Sequence, residues 1–154
     1  MRDGINLATD LFFPSNADGR YPVILIRTPY NKGLLADYGN YFQNRDYVVA
    51  IQDVRGRNAS EGDWTPYIHE NLDGYDTIEW LAVQEWSSGQ IGTMGGSYSG
   101  SVQYLTAIEK PPHLVTIIPN ITPVIPFENM PYDGGALQLG WAIRWVDIME
   151  NAST

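Results

Sequence analysis

Four short apolar runs, each next to a segment of helical period, restrict what this chain can fold into more than any other feature. The runs are Val23–Ile26 (VILI), Tyr47–Gln52 (YVVAIQ), Ile91–Met94 (IGTM) and Leu114–Ile118 (LVTII). Continuous apolar strands need cover on both faces, which a parallel sheet flanked by helices supplies. Between them, residues 33–45 carry Leu34, Leu35, Tyr38, Tyr41 and Phe42, and residues 71–85 carry Leu72, Tyr75, Ile78, Leu81 and Ala82. Residues 98–110 repeat the pattern with Val102, Leu105 and Ile108. Spacings of three and four put each set on one helical face. The alternation predicts an α/β fold with right-handed crossovers. Residues 4–13 (GINLATDLFF) alternate as a further strand ending at Pro14, and a turn cluster follows over 15–21. In such sheets chemistry gathers at the carboxyl ends of the strands. Here those ends lead into Arg27–Lys32, Asp53–Glu70 and Gly95–Ser97.

Composition narrows the function classes. With 154 residues, 44% hydrophobic and 18% charged, the chain is of a size and kind for one globular domain or part of one. Nine Lys and Arg against eighteen Asp and Glu give a formal charge of −9, which repels phosphate backbones and anionic membranes. Neither nucleic acid nor membrane is an expected partner. No stretch approaches the ~20 apolar residues of a membrane span, and Met1-Arg2-Asp3-Gly4 lacks the apolar core of a signal peptide. The absence of Cys removes disulfides, thiolate metal sites and cysteine nucleophiles, and suits a reducing compartment. A cytoplasmic location is the resulting expectation. Seven acids lie between Glu61 and Glu85 with no Lys or Arg among them, but without calcium-loop spacing. They are expected to form a solvated loop and helix face, not a metal site. No cofactor motif is present, and none is expected.

The sharpest local pattern is Met94-Gly95-Gly96-Ser97-Tyr98-Ser99-Gly100, between a strand and a helix. A nucleophile elbow puts its serine on a strained strand-to-helix turn, with small residues two positions either side where the elements approach. Gly95 and Ser99 meet that need, although the strict pattern has Gly at the second place. On this reading Ser97 is an acyl-transfer nucleophile and the Tyr98 N–H an oxyanion donor. Two alternatives share the pattern: a tight glycine turn, and a phosphate cradle, which lacks its Lys. The loop Arg27-Thr28-Pro29-Tyr30-Asn31-Lys32 follows a buried strand, where a second oxyanion donor belongs. The Tyr30 hydroxyl carries an O–H donor and suits that role; a tyrosine merely packed on a neighbour is the alternative. The segment Asp53-Val54-Arg55-Gly56-Arg57-Asn58-Ala59-Ser60-Glu61-Gly62 reads as an internally paired loop forming one wall.

Together these segments resemble the CocE/NonD hydrolases, the group of cocaine esterase, X-Pro dipeptidyl-peptidase and α-amino-acid ester hydrolases. The resemblance rests on MRDGINLATDLFFP, PVILIRTPYNK, YVVAIQDVRGRNASEGDW, DGYDTIEWLAVQEWSSGQIGTMGGSYSG and PPHLVTIIP, in the family's order over residues 1–119. It implies an incomplete α/β-hydrolase domain over 1–122 and the start of a helical cap over 123–154. It places the nucleophile on Ser97 and the oxyanion donors on the Tyr98 N–H and the Tyr30 hydroxyl. The substrate would be a small ester or amide, or a short X-Pro peptide. The family's catalytic Asp and His lie beyond the cap, outside this chain. Gly100 stands where the amino-acid ester hydrolases carry a carboxylate, which argues against such substrates.

Neither histidine is expected to replace the missing base. A helix from Ser97 to about Lys110 carries His113 to the opposite edge of the sheet, about 20 Å away at 1.5 Å per residue. His69 lies on the correct edge but reads as an exposed loop residue. At the tail, residues 136–149 predict a helix with Leu137, Trp141, Trp145 and Ile148 on one seam. That seam is expected to be exposed, which supports an alternative: a non-catalytic module that binds a partner through this helix.

Overall fold

Strand β2 (Tyr21–Thr28) forms the middle of a five-stranded sheet in the computed structural model, which describes residues 1–15, 19–123, 128 and 130–151. On one side of β2 lies β3 (Val48–Asp53), parallel and in register from Val23 opposite Val48 to Thr28 opposite Asp53. On the other side lie β4 (Ser87–Gly96) and then β5 (Leu114–Asn120), both parallel. The edge strand β1 (Thr9–Phe12) runs antiparallel to β3, with Thr9 opposite Gln52. The order β1-β3-β2-β4-β5 reverses direction at β2. The loops leaving β2 and β4 therefore face one crevice, where doubly wound sheets place their ligands.

Side-chain alternation along the central strands feeds two cores. Val23, Leu25, Val48 and Ala50 point to one face, where Ile78 and Leu81 of α2 (Glu70–Ala82) cover them. Ile26, Val49 and Ile51 point to the other, against Phe42 of α1 (Ala36–Gln43) and Leu35 before it. Helix α3 (Tyr98–Ile108) lies beside α2. The two come close because Gly74 has no Cβ; one built there would meet the side chain of Thr106.

Several elements differ from expectation, each for a physical reason. The first strand covers Thr9–Phe12 only, because the preceding backbone is held by the loop after β3. Asn6 N–H donates to Glu61 Oε2 at 3.0 Å and Ala8 N–H to Ser60 Oγ at 2.9 Å. The helix expected over 33–45 opens with a 3-10 turn, Lys32–Leu35, whose N-cap Asn31 accepts the Gly33 N–H at 2.9 Å. Strand β4 begins at Ser87, ahead of the apolar run Ile91–Met94 that predicted it. Strand β5 was expected to be buried, yet Val115 is 60% and Ile118 58% exposed, since no strand flanks it among the described residues. A small hairpin, β6 (Tyr132–Asp133) and β7 (Ala136–Leu137), turns through Gly134 and Gly135 at φ 54° and 86°. Positive φ at both central residues is the tight-hairpin geometry that glycine permits. The last helix, α4 (Leu139–Asn151), consequently starts later than expected and leaves Leu137 off its seam. Part of the cap segment expected over 123–154 lies outside the described residues. Among the described residues no helix is long and apolar enough to cross a membrane.

Candidate active site

β4 ends at Gly96 and α3 begins at Tyr98, so Ser97 alone makes the turn, at φ 56° and ψ −126°. Such a conformation in a residue with a Cβ costs about 1–3 kcal/mol and persists only where neighbours enforce it. Here Ser97 N–H donates to Asn120 O at 3.0 Å, and Ser97 O accepts from Gly100 and Ser101 N–H at 2.9 and 3.1 Å. The turn is tight enough that a Cβ at Gly95 would lie 2.7 Å from Ser99 Cβ and 3.0 Å from Ser99 O. Gly100 is fixed in the same way: a Cβ there would fall 2.7 Å from Thr122 Cγ2 and 3.2 Å from Asn120 O. A carboxylate at this position has no room.

The turn leaves Ser97 exposed, with Oγ 3.0 Å from the Tyr30 hydroxyl. Tyr30 is presented by the loop after β2, where its N–H donates to Thr28 Oγ1 at 3.1 Å. The indole N–H of Trp145, on α4, donates to the Tyr30 hydroxyl at 3.4 Å. Tyr98 is the first residue of α3, so its N–H has no acceptor within the helix and sits at the positive end of the helix dipole. The elbow serine and both expected oxyanion donors thus occupy one crevice.

Behind the elbow lies a network that the sequence did not disclose. The buried Tyr98 hydroxyl donates to Glu70 Oε1 at 2.8 Å and accepts from Tyr67 N–H at 3.0 Å and Trp64 Nε1 at 3.3 Å. Burial first, and the Glu70 charge second, hold this phenol far above its ordinary range. Glu70 pairs with Arg27 at 2.9 Å, and both are almost wholly buried. Asp73 is buried as well, in a two-bond pair with Arg55 at 2.6 and 2.9 Å. The acids of the 61–85 segment were expected to be solvated; these two are core ion pairs. Their signal was the complementary one, Arg27 beside an apolar strand run.

The wall after β3 also differs from the internally paired loop expected. Asp53 Oδ1 accepts from Lys32 N–H at 2.8 Å and Asn58 Nδ2 at 3.2 Å, not from either arginine. Arg55 reaches out of the loop to Asp73 and Asp3, and Arg57 binds backbone carbonyls.

A cleft of about 260 Å³ opens beside Ser97, lined by Tyr67, Tyr98, Trp141, Trp145 and Leu137. Its aromatic rings stack: Trp141 on Trp145 at 5.9 Å, Trp145 on Tyr98 at 6.2 Å and Tyr98 on Tyr67 at 4.4 Å. Of the seam expected to be exposed, Trp141 and Trp145 instead face the site and are half-buried, whereas Leu137 and Ile148 are exposed, as are Leu139, Ile143 and Val146 off it. His113 O accepts the Ile91 N–H midway along β4, and its ring is held by Glu79 at 2.8 Å. Ile91 and Gly96 are five residue steps apart along the strand, about 17 Å. His69 is exposed at the N-cap of α2, and its ring makes no bond to Ser97 among the described residues. The described residues contain no cluster of metal-ligating side chains.

A mostly parallel sheet flanked by helices, with a strained serine turn between strand and helix, defines the α/β-hydrolase class. Within that class the chain belongs to the X-Pro dipeptidyl-peptidase (S15) family, whose model matches residues 3–154. It is 39% identical over 152 residues to cocaine esterase of Rhodococcus sp. strain MB1 Bresler, covering 94% of this chain and 26% of that protein. Among solved structures it resembles a CocE/NonD family hydrolase from Staphylococcus aureus, with TM-score 0.88 and 31% identity over 99% of this chain and 32% of the other. An α-amino-acid ester hydrolase gives TM-score 0.74 at 27% identity, over 84% of this chain and 25% of the other. The chain spans about a quarter of the length of cocaine esterase and of a serine esterase of Mycobacterium bovis that it also matches.

Proposed function

We propose that these residues form the nucleophile-bearing part of a serine hydrolase that cleaves ester or amide bonds. One observation carries the reading: Ser97, held at a strained turn, has its Oγ 3.0 Å from the Tyr30 hydroxyl and beside the first free N–H of α3. Ser97 Oγ attacks the substrate carbonyl carbon, and its proton passes to a histidine supplied by further polypeptide. The Tyr98 N–H and the Tyr30 O–H donate to the oxygen that becomes negative. Collapse breaks the bond to the alcohol or amine, which leaves with the proton from the imidazolium. Water then hydrolyses the acyl-enzyme. An apolar acyl group fits the aromatic cleft beside Ser97. His113 is held by Glu79, and His69 makes no hydrogen bond to Ser97 among the described residues, which is the reason for placing the base, and the carboxylate that orients it, outside residues 1–154.

The reading is tested by labelling the full-length protein with a fluorescent alkyl phosphonate, with Ser97→Ala in parallel. Wild type takes one label per chain, on Ser97, and the variant takes none. Undiminished labelling of Ser97→Ala would sink the assignment.

A further inference from the structure

Arg57 is 7% exposed, yet no carboxylate lies within ion-pair distance of it among the described residues. Its partners are two backbone carbonyls from distant parts of the chain. Nε donates to Pro29 O at 3.1 Å, and Nη2 donates to Met149 O at 2.8 Å. Its guanidinium lies 4.7 Å over the ring of Trp64, which in turn packs 5.8 Å from Trp145. Burial lowers its pKa from the ordinary arginine value. An apolar side chain of similar length would fill this space without desolvating a charge. Filling space is therefore a poor account of an arginine here.

The two carbonyls explain it better. Pro29 immediately precedes Tyr30, the expected oxyanion donor. Met149 stands one helical turn beyond Trp145, in the last turn of α4, where helix carbonyls commonly take donors from other parts of a chain. A cation also suits the negative end of a helix dipole. Trp145 meanwhile bonds the Tyr30 hydroxyl directly at 3.4 Å. The contacts close a ring from Arg57 through Pro29, Tyr30 and Trp145, down α4 to Met149 and back to Arg57.

We propose that Arg57 is a positioning residue that locks the Tyr30 loop and helix α4 into one unit, fixing the oxyanion donor against the aromatic wall of the cleft. This rests on the hydrolase reading above and assigns Arg57 the task of matching acyl-group binding to oxyanion alignment. Two effects follow from its loss. Displacement of α4 weakens binding of aromatic acyl groups, and displacement of Tyr30 slows acylation of every ester.

The test compares wild type, Arg57→Met and Arg57→Lys in the full-length protein. The probes are p-nitrophenyl acetate and p-nitrophenyl benzoate, with rates expressed per phosphonate-titrated serine so that misfolded protein does not count. In Arg57→Met, kcat falls roughly ten-fold or more for both esters, as small misplacements at a reacting centre do, and KM rises for the benzoate alone. Arg57→Lys shows the same signs, because an ammonium cannot bridge both carbonyls as a planar fork does. Wild-type kcat and KM per titrated serine in both variants, whatever their yield or melting temperature, would overturn the proposal in favour of a purely structural arginine. If wild type itself takes no phosphonate, the hydrolase reading fails first, a result separate from either outcome for Arg57.

Discussion

Ser97 holds a positive φ that glycine would adopt freely, and the surrounding glycines show why a serine is tolerated there. Gly95 and Gly100 remove the side chains that would otherwise strike Ser99 and Thr122, so strand and helix close around the turn. This much was legible in the spacing of Met94–Gly100. The partner across the crevice was legible only as a candidate, since a tyrosine in a loop has many uses. Its placement 3.0 Å from Ser97 Oγ is what gives the hydroxyl its proposed role. Tyr30→Phe keeps the ring against the Val54, Tyr98 and Val102 cluster and removes the donor. On the hydrolase reading kcat falls about 10²-fold, as for loss of one oxyanion donor, while KM changes little. Steady-state kinetics on the full-length protein measure this split; an unchanged kcat would remove Tyr30 from the oxyanion hole.

At the scale of elements, periodicity found the helices and strands but not what held them together. Helix α2 was expected to show an acidic face to solvent, yet Glu70 and Asp73 turn inward to Arg27 and Arg55. Period and charge count cannot see this, because the pairing joins β2 and the loop after β3 to a helix far along the chain. The α2–α3 contact has a similar origin in Gly74. Alanine favours a helix interior by about 1 kcal/mol over glycine. A Cβ at 74, however, would lie 2.9 Å from both Thr106 Cβ and Cγ2. Thr106 cannot turn aside freely, because its hydroxyl bonds Val102 O at 2.8 Å and Glu70 O at 3.3 Å. Overpacking of about 1–3 kcal/mol outweighs propensity, so Gly74→Ala destabilises. Urea unfolding reports a lower midpoint, and a higher one would mean that the helices separate at no cost. The β6–β7 hairpin was missed for a plainer reason: two-residue strands carry no period.

For the whole molecule, the order β1-β3-β2-β4-β5 decides which loops meet. The reversal at β2 brings Tyr30 and Ser97 together although 67 residues separate them. The same topology leaves His113 beside the amino-terminal half of β4, where Glu79 holds it. From this arrangement the 154-residue polypeptide by itself is expected to turn over p-nitrophenyl esters at no ordinary enzyme rate. An oxyanion hole without a base leaves at most ~10³-fold over water in triad enzymes. A stopped assay with Ser97→Ala as the blank checks this. Turnover at normal hydrolase rates would show that His69 or another group reaches Ser97.

The sequence by itself determined the α/β alternation, the strand-to-helix serine turn and the loops at the carboxyl ends, because these depend on local periods and on glycines at fixed spacing. The tertiary structure alone decided that Glu70 supports Tyr98, that α4 turns its tryptophans toward the site, and that Arg57 joins two distant carbonyls. Such contacts form between residues far apart in the chain. They depend on the direction each side chain takes once the sheet is ordered, a quantity no local pattern carries.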